Sequence, residues 1–564
     1  MLSLQLCFIY SDAQNLSWAK QISGHSTEYA YSIATDDQGN VYTTGKIGTE
    51  ATDFDPDSGV FNMSCQGGWA VFVSKLDAAG HFVWAKQMCG GGIGNYGIGY
   101  GITVDTFANV YVIGRFEGTA DFDPDTGVYN LTAAHAYDVF ILKLDSAGKF
   151  IWARALGGSG YEYGYSIAVD KHQNVYSTGT FEQTADFDPG SGVYNLSVTA
   201  GSYVFVSKLD SLGDFVWAKL VGGYNSGTGT SIAIDDSGNV FTTGYFSGTV
   251  DFDPGTDTLN LIASSIDAFV IKLSGQGNLK WVRQFGGSSA DKGVSIAVDN
   301  EGSVYATGTF MDTADFDPGV VEYNLVSFGD KDVFVSRLDS SGNFMWATQL
   351  GGSDVNLSYS LAIDSASNVY TIGYFEGTID LDPGTGTSIF NSPGIANIFI
   401  SRLNKSGIFI SALQFTSNSH CYPGSIIIDL NGNVCSTGCF SGITDFDPSP
   451  LIYSLVPVSY DIYVVKLGLS TGVGDQLWQQ NEISLYPVPA SSYLTINFHD
   501  LIDKGFLINE SVLEVYNIIG KKIYCAPVGN DKLVINCETF TNGIYFAKFG
   551  AGNKLFHKKF TIQH

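Results

Sequence analysis

Five segments in order decide the fold: Ser166-Ile167-Ala168-Val169-Asp170, Asn174-Val175-Tyr176-Ser177-Thr178-Gly179, Asp186-Phe187-Asp188-Pro189, Val204-Phe205-Val206-Ser207-Lys208-Leu209 and Phe215-Val216-Trp217-Ala218-Lys219. The first is a short apolar run of strand length, and the second alternates as a half-buried strand does. Lys171-His172-Gln173 and Asp210-Ser211-Leu212-Gly213 carry turn chemistry, and Asp before Pro opens a loop. The stretch therefore reads as four antiparallel strands with no helical periodicity.

The same stretch returns along the chain. D-F-D-P starts at Asp53, Asp121, Asp186, Asp251, Asp315, Asp380 (as D-L-D-P) and Asp445, with spacings of 68, 65, 65, 64, 65 and 65 residues. The T-G that ends a strand keeps step at Gly45, Gly114 (as I-G), Gly179, Gly244, Gly308, Gly373 (as I-G) and Gly438. One period held seven times marks one repeated supersecondary unit. A β-helix repeats in far shorter steps and a string of sandwiches in longer ones. The expected fold is all-β: a seven-bladed β-propeller of four-stranded antiparallel blades, followed by a small C-terminal β-sandwich domain.

A W-A strand ends each repeat at Trp84, Trp152, Trp217, Trp281 (as W-V) and Trp346, whereas the seventh match, Ser411-Ala412, lacks its Trp. Trp18-Ala19 precedes the first complete repeat, and the seventh ends near Leu467 with no fourth strand behind it. Pairing residues 17–22 with 461–467 supplies the missing strand and leaves no open edge. The expected divisions are a signal-peptide remnant over 1–14, the propeller over 15–467, a polar linker over 468–482 and a separate domain over 483–564. Leu2 to Tyr10 and Ser11-Asp12-Ala13 resemble the apolar core and cleavage site of a signal peptide whose basic start is missing; an ordinary first strand is the other reading.

Composition narrows function. The formal charge of −28 argues against nucleic acid, which demands a basic footprint, and no apolar run reaches the length of a membrane helix. The eight His make no metal-spaced pair, and neither a nucleophile elbow nor a phosphate loop occurs. Seven near-identical carboxylate pairs look like scaffold rather than a catalytic pair, which would break its repeat in one blade. A non-enzymatic binding or adhesion scaffold is expected, with a glycan-active enzyme or its accessory module as the alternative.

Candidate sites fall on one face, where the D-F-D-P loops and the loops between blades open together. Asp53, Asp55, Asp57, Asp121, Asp123 and Asp125 alternate as hard oxygen ligands, which suits Ca²⁺, while Asp-Pro turn architecture is the competing reading. Tyr96, Tyr161, Glu162, Tyr163 and Tyr224 on the loops between blades offer aromatic faces and a carboxylate to a glycan or protein ligand, although tyrosines there also pack under their neighbours. Cys421 lies close enough in sequence to Cys435 and Cys439 to bond either, and Cys525 and Cys537 flank a hairpin; free thiols fit equally well.

The motifs S-I-A-V-D, N-V-Y-T-T-G-x-F, D-F-D-P-G and V-F-V-S-K-L-D-x-x-G-x-F-x-W-A resemble the β-propeller repeat of bacterial secreted and surface proteins. That resemblance implies fold and export, and brings no catalytic residues. The tail holds Leu485-Tyr486-Pro487-Val488-Pro489-Ala490, Val515-Tyr516-Asn517-Ile518-Ile519-Gly520-Lys521, Asn542-Gly543-Ile544-Tyr545-Phe546 and Lys558-Lys559-Phe560. In order and spacing these resemble the type A C-terminal sorting domain of the type IX secretion system of Bacteroidota. Val488 departs from the Asn common between the two prolines. The resemblance implies the type IX machinery as partner, passage across the outer membrane, and attachment to surface lipopolysaccharide after removal of the domain. Tyr486, Pro487, Pro489, Asn542, Gly543, Tyr545, Lys558 and Lys559 are its sorting-motif residues, and the location implied is extracellular or on the outer-membrane surface.

Overall fold

A computed structural model describes residues 14–88, 96–223, 227–469, 484–488, 490–498, 512–517, 521–528, 531–551 and 554–564. Among them every regular element is a strand. The signal remnant, except Gln14, and the linker, except Gly468 and Leu469, lie outside the described residues. One compact body spans Ser11–Leu469, and a second holds the described residues after 483.

The repeat is a four-stranded antiparallel unit. Tyr163–Val169, Val175–Asp186, Asn195–Leu209 and Phe215–Gly223 pair in chain order. The middle strands read as nearly continuous apolar runs because both faces are covered: in the first unit Val41–Ile47 and Ala70–Leu76 are buried at every position. The fourth strand has one side toward water and a bulge near its start: Val83, unpaired between Phe82 and Trp84, is exposed while Ala85 is buried. Among the described residues this unit occurs seven times.

The seventh unit takes its fourth strand from the other end of the body. Cys421–Ile428, Val434–Phe440 and Asp461–Leu469 pair in order, and Gln14–Gly24 then joins Asp461–Leu469 with Trp18 opposite Lys466 and Ile22 opposite Ile462. First strands of successive units lie side by side, and Cys421–Ile428 lies beside both Asn356–Ile363 and Tyr29–Thr35. The core sits between units, as where Val71 and Val73 of the first meet Val110, Val112 and Phe140 of the second.

Each recurring residue has a physical task. The Trp152 indole N–H donates to the Ser211 carbonyl, 3.3 Å away, in the turn of the next unit. Gly213 of that turn has φ +80°, and a Cβ on it would sit 3.1 Å from the Trp152 ring. Trp18 does the same to Ala78 and Gly80, and Trp84, Trp217, Trp281 and Trp346 repeat the contact. Ser411 is the exception because the seventh unit has no turn between its third and fourth strands; an indole there has no glycine turn to cover.

The aspartate ending each first strand organises the next turn. The Asp170 carboxylate accepts the amide N–H groups of His172 and Asn174, the Asn174 side-chain amide and the Tyr176 hydroxyl. The left-handed residue is the one before that Asn, or before Ser303 in the fifth unit: Gly39, Gly238, Gly302 and Gly432, but also Ala108, Gln173 and Ser367. In three units, therefore, the aspartate's bonds hold a residue with a side chain in the left-handed region.

D-F-D-P is likewise architecture. Asp53 Oδ1 accepts the N–H groups of Asp55 and Phe61, Asp55 accepts that of Asp57, and the pattern recurs through Asp445. The second residue is a plug: Phe54, Phe122, Phe252, Phe316, Leu381 and Phe446 are wholly buried. The loop then pairs with the preceding unit's fourth strand, Asp53 opposite Ser23 and Asp186 opposite Gly157.

In the second body, Ser484–Tyr486, Tyr493–Asn497 and Lys532–Asn536 form one sheet, and Lys522–Pro527, Val512–Asn517, Gly543–Ala551 and Lys554–Ile562 another. Leu494, Ile496, Val515, Ile535, Tyr545 and Phe560 share one core. Cys421, Cys435, Cys439, Cys525 and Cys537 are free thiols, and Cys65 is buried. Cys525 is exposed and Cys537 buried on different sheets, which keeps that pair apart.

Candidate binding face

The start of each first strand meets the end of each second strand, and aromatic side chains crowd this end. Tyr29, Tyr31, Tyr100, Tyr165 and Tyr163 follow one another with ring centroids 5.9, 5.4, 5.3 and 6.0 Å apart. The series continues through Tyr137 to Tyr161 on one side and through Tyr460, His420, Tyr422 and Tyr374 to Tyr359 on the other. Thr230, Val294 and Gly424 replace the tyrosine in the fourth, fifth and seventh units; His420 and Tyr422 carry the arc through the seventh, and it is interrupted in the fourth and fifth.

Of the loop residues expected to form a ligand face, Tyr161 is exposed beside Tyr137, and Tyr163 stacks on Tyr165. Tyr96 meets the edge of Trp69 at 5.6 Å, and Tyr224 lies outside the described residues. Glu162 is corrected: it is 1 % exposed and faces Asp138 at the junction with the preceding unit. Sequence reasoning missed Trp69, Tyr137, Arg115 and Lys46. Their signal lay in the columns: position 46 and its equivalents read Lys46, Arg115, Thr180, Tyr245, Thr309, Tyr374 and Cys439, against invariant glycine one place before.

Cations cap the arc. The Lys46 ammonium lies 3.7 Å from the Trp69 ring centroid and 4.9 Å from that of Tyr29. The Arg115 guanidinium lies 4.3 Å from Tyr137 and 4.8 Å from Tyr163. Cation–π attraction holds both over aromatic faces. Burial raises Tyr31, Tyr100 and Tyr165 above the ordinary phenol range, so their hydroxyls stay protonated donors at neutral pH.

Beneath this end, paired acids occupy three junctions between units: Glu28 with Asp461, Glu162 with Asp138, and Asp291 with Asp267. All six are at most 3 % exposed. Burial pushes Glu162 up to about 8, with Asp138 adding to it, and pushes Glu28 and Asp291 to about 7. Asp138 and Asp267 rise to about 6, again through burial. Glu28 Oε2 and Asp461 Oδ1, and Glu162 Oε1 and Asp138 Oδ1, have no hydrogen-bond partner among the described residues. At the matching junction of the fifth and sixth units the Asn356 amide donates to Asp332 Oδ1 at 3.0 Å.

The acids offered to calcium are otherwise engaged. Asp53 and Asp55, like Asp121 and Asp123, hold backbone amides, while Asp57 and Asp125 pair with Lys20 and Lys86 at 2.6 Å. Among the described residues no three acids, cysteines or histidines gather as a metal would require. In the tail, the Tyr545 hydroxyl donates to the Thr541 carbonyl at 2.8 Å, and Asn542 Oδ1 accepts the His564 N–H. Tyr486 is exposed, Lys558 and Lys559 lie on the last strand, and Pro489 falls outside the described residues.

A family model of the β-propeller repeat matches residues 17–49, 151–180, 216–245, 280–309 and 346–374, and one of the secretion system C-terminal sorting domain matches residues 484–563. The chain carries β-propeller repeats and ends in a sorting domain. Each propeller-repeat match begins on a fourth strand and ends in, or for residues 17–49 just past, the second strand of the following unit, so the inter-unit junction is its centre.

Among curated proteins, the propeller-repeat chain is similar to the uncharacterized WD repeat-containing protein L264 of Acanthamoeba polyphaga mimivirus, 24% identical over 547 residues covering 81% of this chain and 38% of that protein. It is also similar to the regulatory protein FlaEY of Caulobacter vibrioides, 25% identical over 203 residues, 35% of this chain and 21% of that one. The chain thus spans less than half the length of either relative. Solved structures include PorZ, an essential bacterial surface component of the type IX secretion system of Porphyromonas gingivalis, at 10% identity over 96% of this chain and 100% of that one, TM-score 0.17. A protein of unknown function from Bacteroides thetaiotaomicron aligns at 10% identity over 79% of this chain and 98% of that one, TM-score 0.23.

Proposed function

We propose that the seven units are the blades of one closed β-propeller, exported by the type IX secretion system through its sorting domain. At the cell surface, attached there or released, it acts as a non-catalytic binding or adhesion scaffold. Closure is supported by the pairing of Gln14–Gly24 with Asp461–Leu469 and by the first and seventh units lying side by side. The loss of Trp at Ser411 fits the same reading. Export rests on the sorting domain over residues 484–563.

The observation that carries the binding role is the tyrosine arc at the mouth of the ring. Rings such as Tyr161 and Tyr359 stay exposed there instead of being covered by the fold. Flat aromatic faces with hydroxyl rims suit glycans and extended peptide segments. The scaffold reading over the glycan-active alternative is supported by the close carboxyl pairs being sealed between units, where no substrate reaches them. Screening the full chain against glycan and surface-protein arrays, with Tyr100→Ala and Tyr161→Ala beside it, tests this role. The expected result is a ligand whose binding both variants weaken at least about tenfold with unchanged melting. Binding indifferent to both, or cleavage of the bound glycan, counts against it.

A further inference from the structure

Lys46 and Arg115 are two of the cations at the mouth and stand on adjacent units, whereas Lys292 lies apart over the Tyr245 ring. The chain holds twice as many acids as bases, 56 against 28, and four of its other partly buried cations sit by acids: Lys75 by Asp36, Arg337 by Asp299, Arg402 by Asp364 and Lys466 by Asp429; Lys143 instead donates to Gln173 over the Tyr111 ring. Among the described residues neither Lys46 nor Arg115 enters an ion pair. Lys46 is 8 % exposed, with its ammonium turned to the rings of Trp69 and Tyr29. The two lie on adjacent units and feel each other: burial lowers the Lys46 pKa first, and the Arg115 charge lowers it further. Two like charges brought together in a partly desolvated site repel unless an anion completes them. The other five units have no cation in this column, so the pair is no by-product of the repeat.

Resting on the reading of the mouth as a binding face, we propose that Lys46 and Arg115 form the carboxylate subsite for a single uronic acid on an otherwise neutral glycan. The guanidinium offers a planar fork to a carboxylate and the ammonium a second charge. Tyr29, Tyr137, Tyr163 and Trp69, already beside the cations, supply faces for the sugar ring. An extended polyanion is disfavoured because the surrounding chain carries −28 and repels it, whereas an isolated carboxylate meets only the local positive field.

Calorimetric titration of the full chain with three probes tests the assignment: a xylo-oligosaccharide bearing one glucuronate, the same oligosaccharide without it, and a short neutral-bodied peptide ending in a free carboxylate. The glucuronate-bearing sugar is expected to bind at least tenfold more tightly than the neutral one. Arg115→Gln and Lys46→Gln each erase that difference without lowering the melting temperature, and Lys86→Gln on a fourth strand, which breaks the ion pair with Asp125, leaves it intact. Equal binding of both sugars, unaffected by Arg115→Gln, overturns the carboxylate subsite while leaving the mouth a sugar-binding face. Peptide binding that needs Arg115, without sugar binding, overturns the sugar assignment in favour of a protein chain end. Binding of none of the probes overturns the subsite, and the arrays with Tyr100→Ala then decide separately whether the mouth binds anything.

Discussion

At the scale of single residues, the repeated side chains are joints between neighbours. Trp152 covers Gly213 of the following unit and donates to Ser211, so its value is set by a partner about sixty positions away. Replacing Trp152 by Ala is expected to cost about 3–5 kcal/mol, read as a lowered denaturant midpoint. Introducing Trp at Ser411, which restores the consensus, is expected to add no stability, because no glycine turn faces it. A rise comparable to the Trp152 loss would place a turn where the pairing of Gln14–Gly24 excludes one. The repeated Trp was legible in the sequence as the mark of each repeat's last strand, while the turn it covers showed only in the packing. The D-F-D-P carboxylates read two ways there, since a turn-capping aspartate and a calcium ligand present the same residue at the same spacing.

At the scale of the element, the junctions between units carry the titratable chemistry. Glu28, Glu162 and Asp291 hold their protons to about 7, 8 and 7, whereas in the unfolded chain they release them near the ordinary 4.5 or 3.8. Between those limits the folded form binds more protons, so stability is greatest at the acid end and falls as pH rises from about 4 to about 8, then levels. Each unit of separation is worth about 1.4 kcal/mol. Melting temperature is therefore expected to drop by several degrees between pH 5 and pH 9. The general repulsion of an acidic chain acts in the same direction, so Glu162→Gln separates the two. Its amide can donate to Asp138 as Asn356 donates to Asp332. This variant should melt above the natural protein at pH 9, by about 1–3 kcal/mol of stability, and lose that advantage at pH 5. Parallel profiles at all pH values would contradict the assignment. Glu162 was misplaced by sequence reasoning because an acid in a Gly- and Tyr-rich loop reads as exposed. Its partner Asp138 begins a strand of the previous unit, and only the packing of one sheet on the next brings them together.

For the molecule as a whole, the period of the motifs made the strand order and the repeat legible from sequence, since every unit repeats one set of turn, plug and joint residues. The mouth was less legible, because it is built from columns that differ between units. Lys46 and Arg115 follow the T-G and I-G ends of unremarkable strands and acquire meaning only when the strand ends of neighbouring units lie side by side. The sorting domain gives a prediction at this scale: deleting residues 484–564 should leave the protein inside the outer membrane of a type IX-competent host, as read by surface protease accessibility and fractionation, with the melting of Ser11–Leu469 unchanged.

The central claim is that a strand from the beginning of the chain completes the last repeat. Hydrogen–deuterium exchange across residues 461–469, in the full chain and in one lacking residues 1–24, addresses it most directly. The account predicts strong protection of Ile462–Leu467 in the full chain. In the shortened chain that protection is lost first, while Val304–Phe310 in the middle of the body stays protected. Unchanged exchange at 462–467 after the deletion would contradict the account.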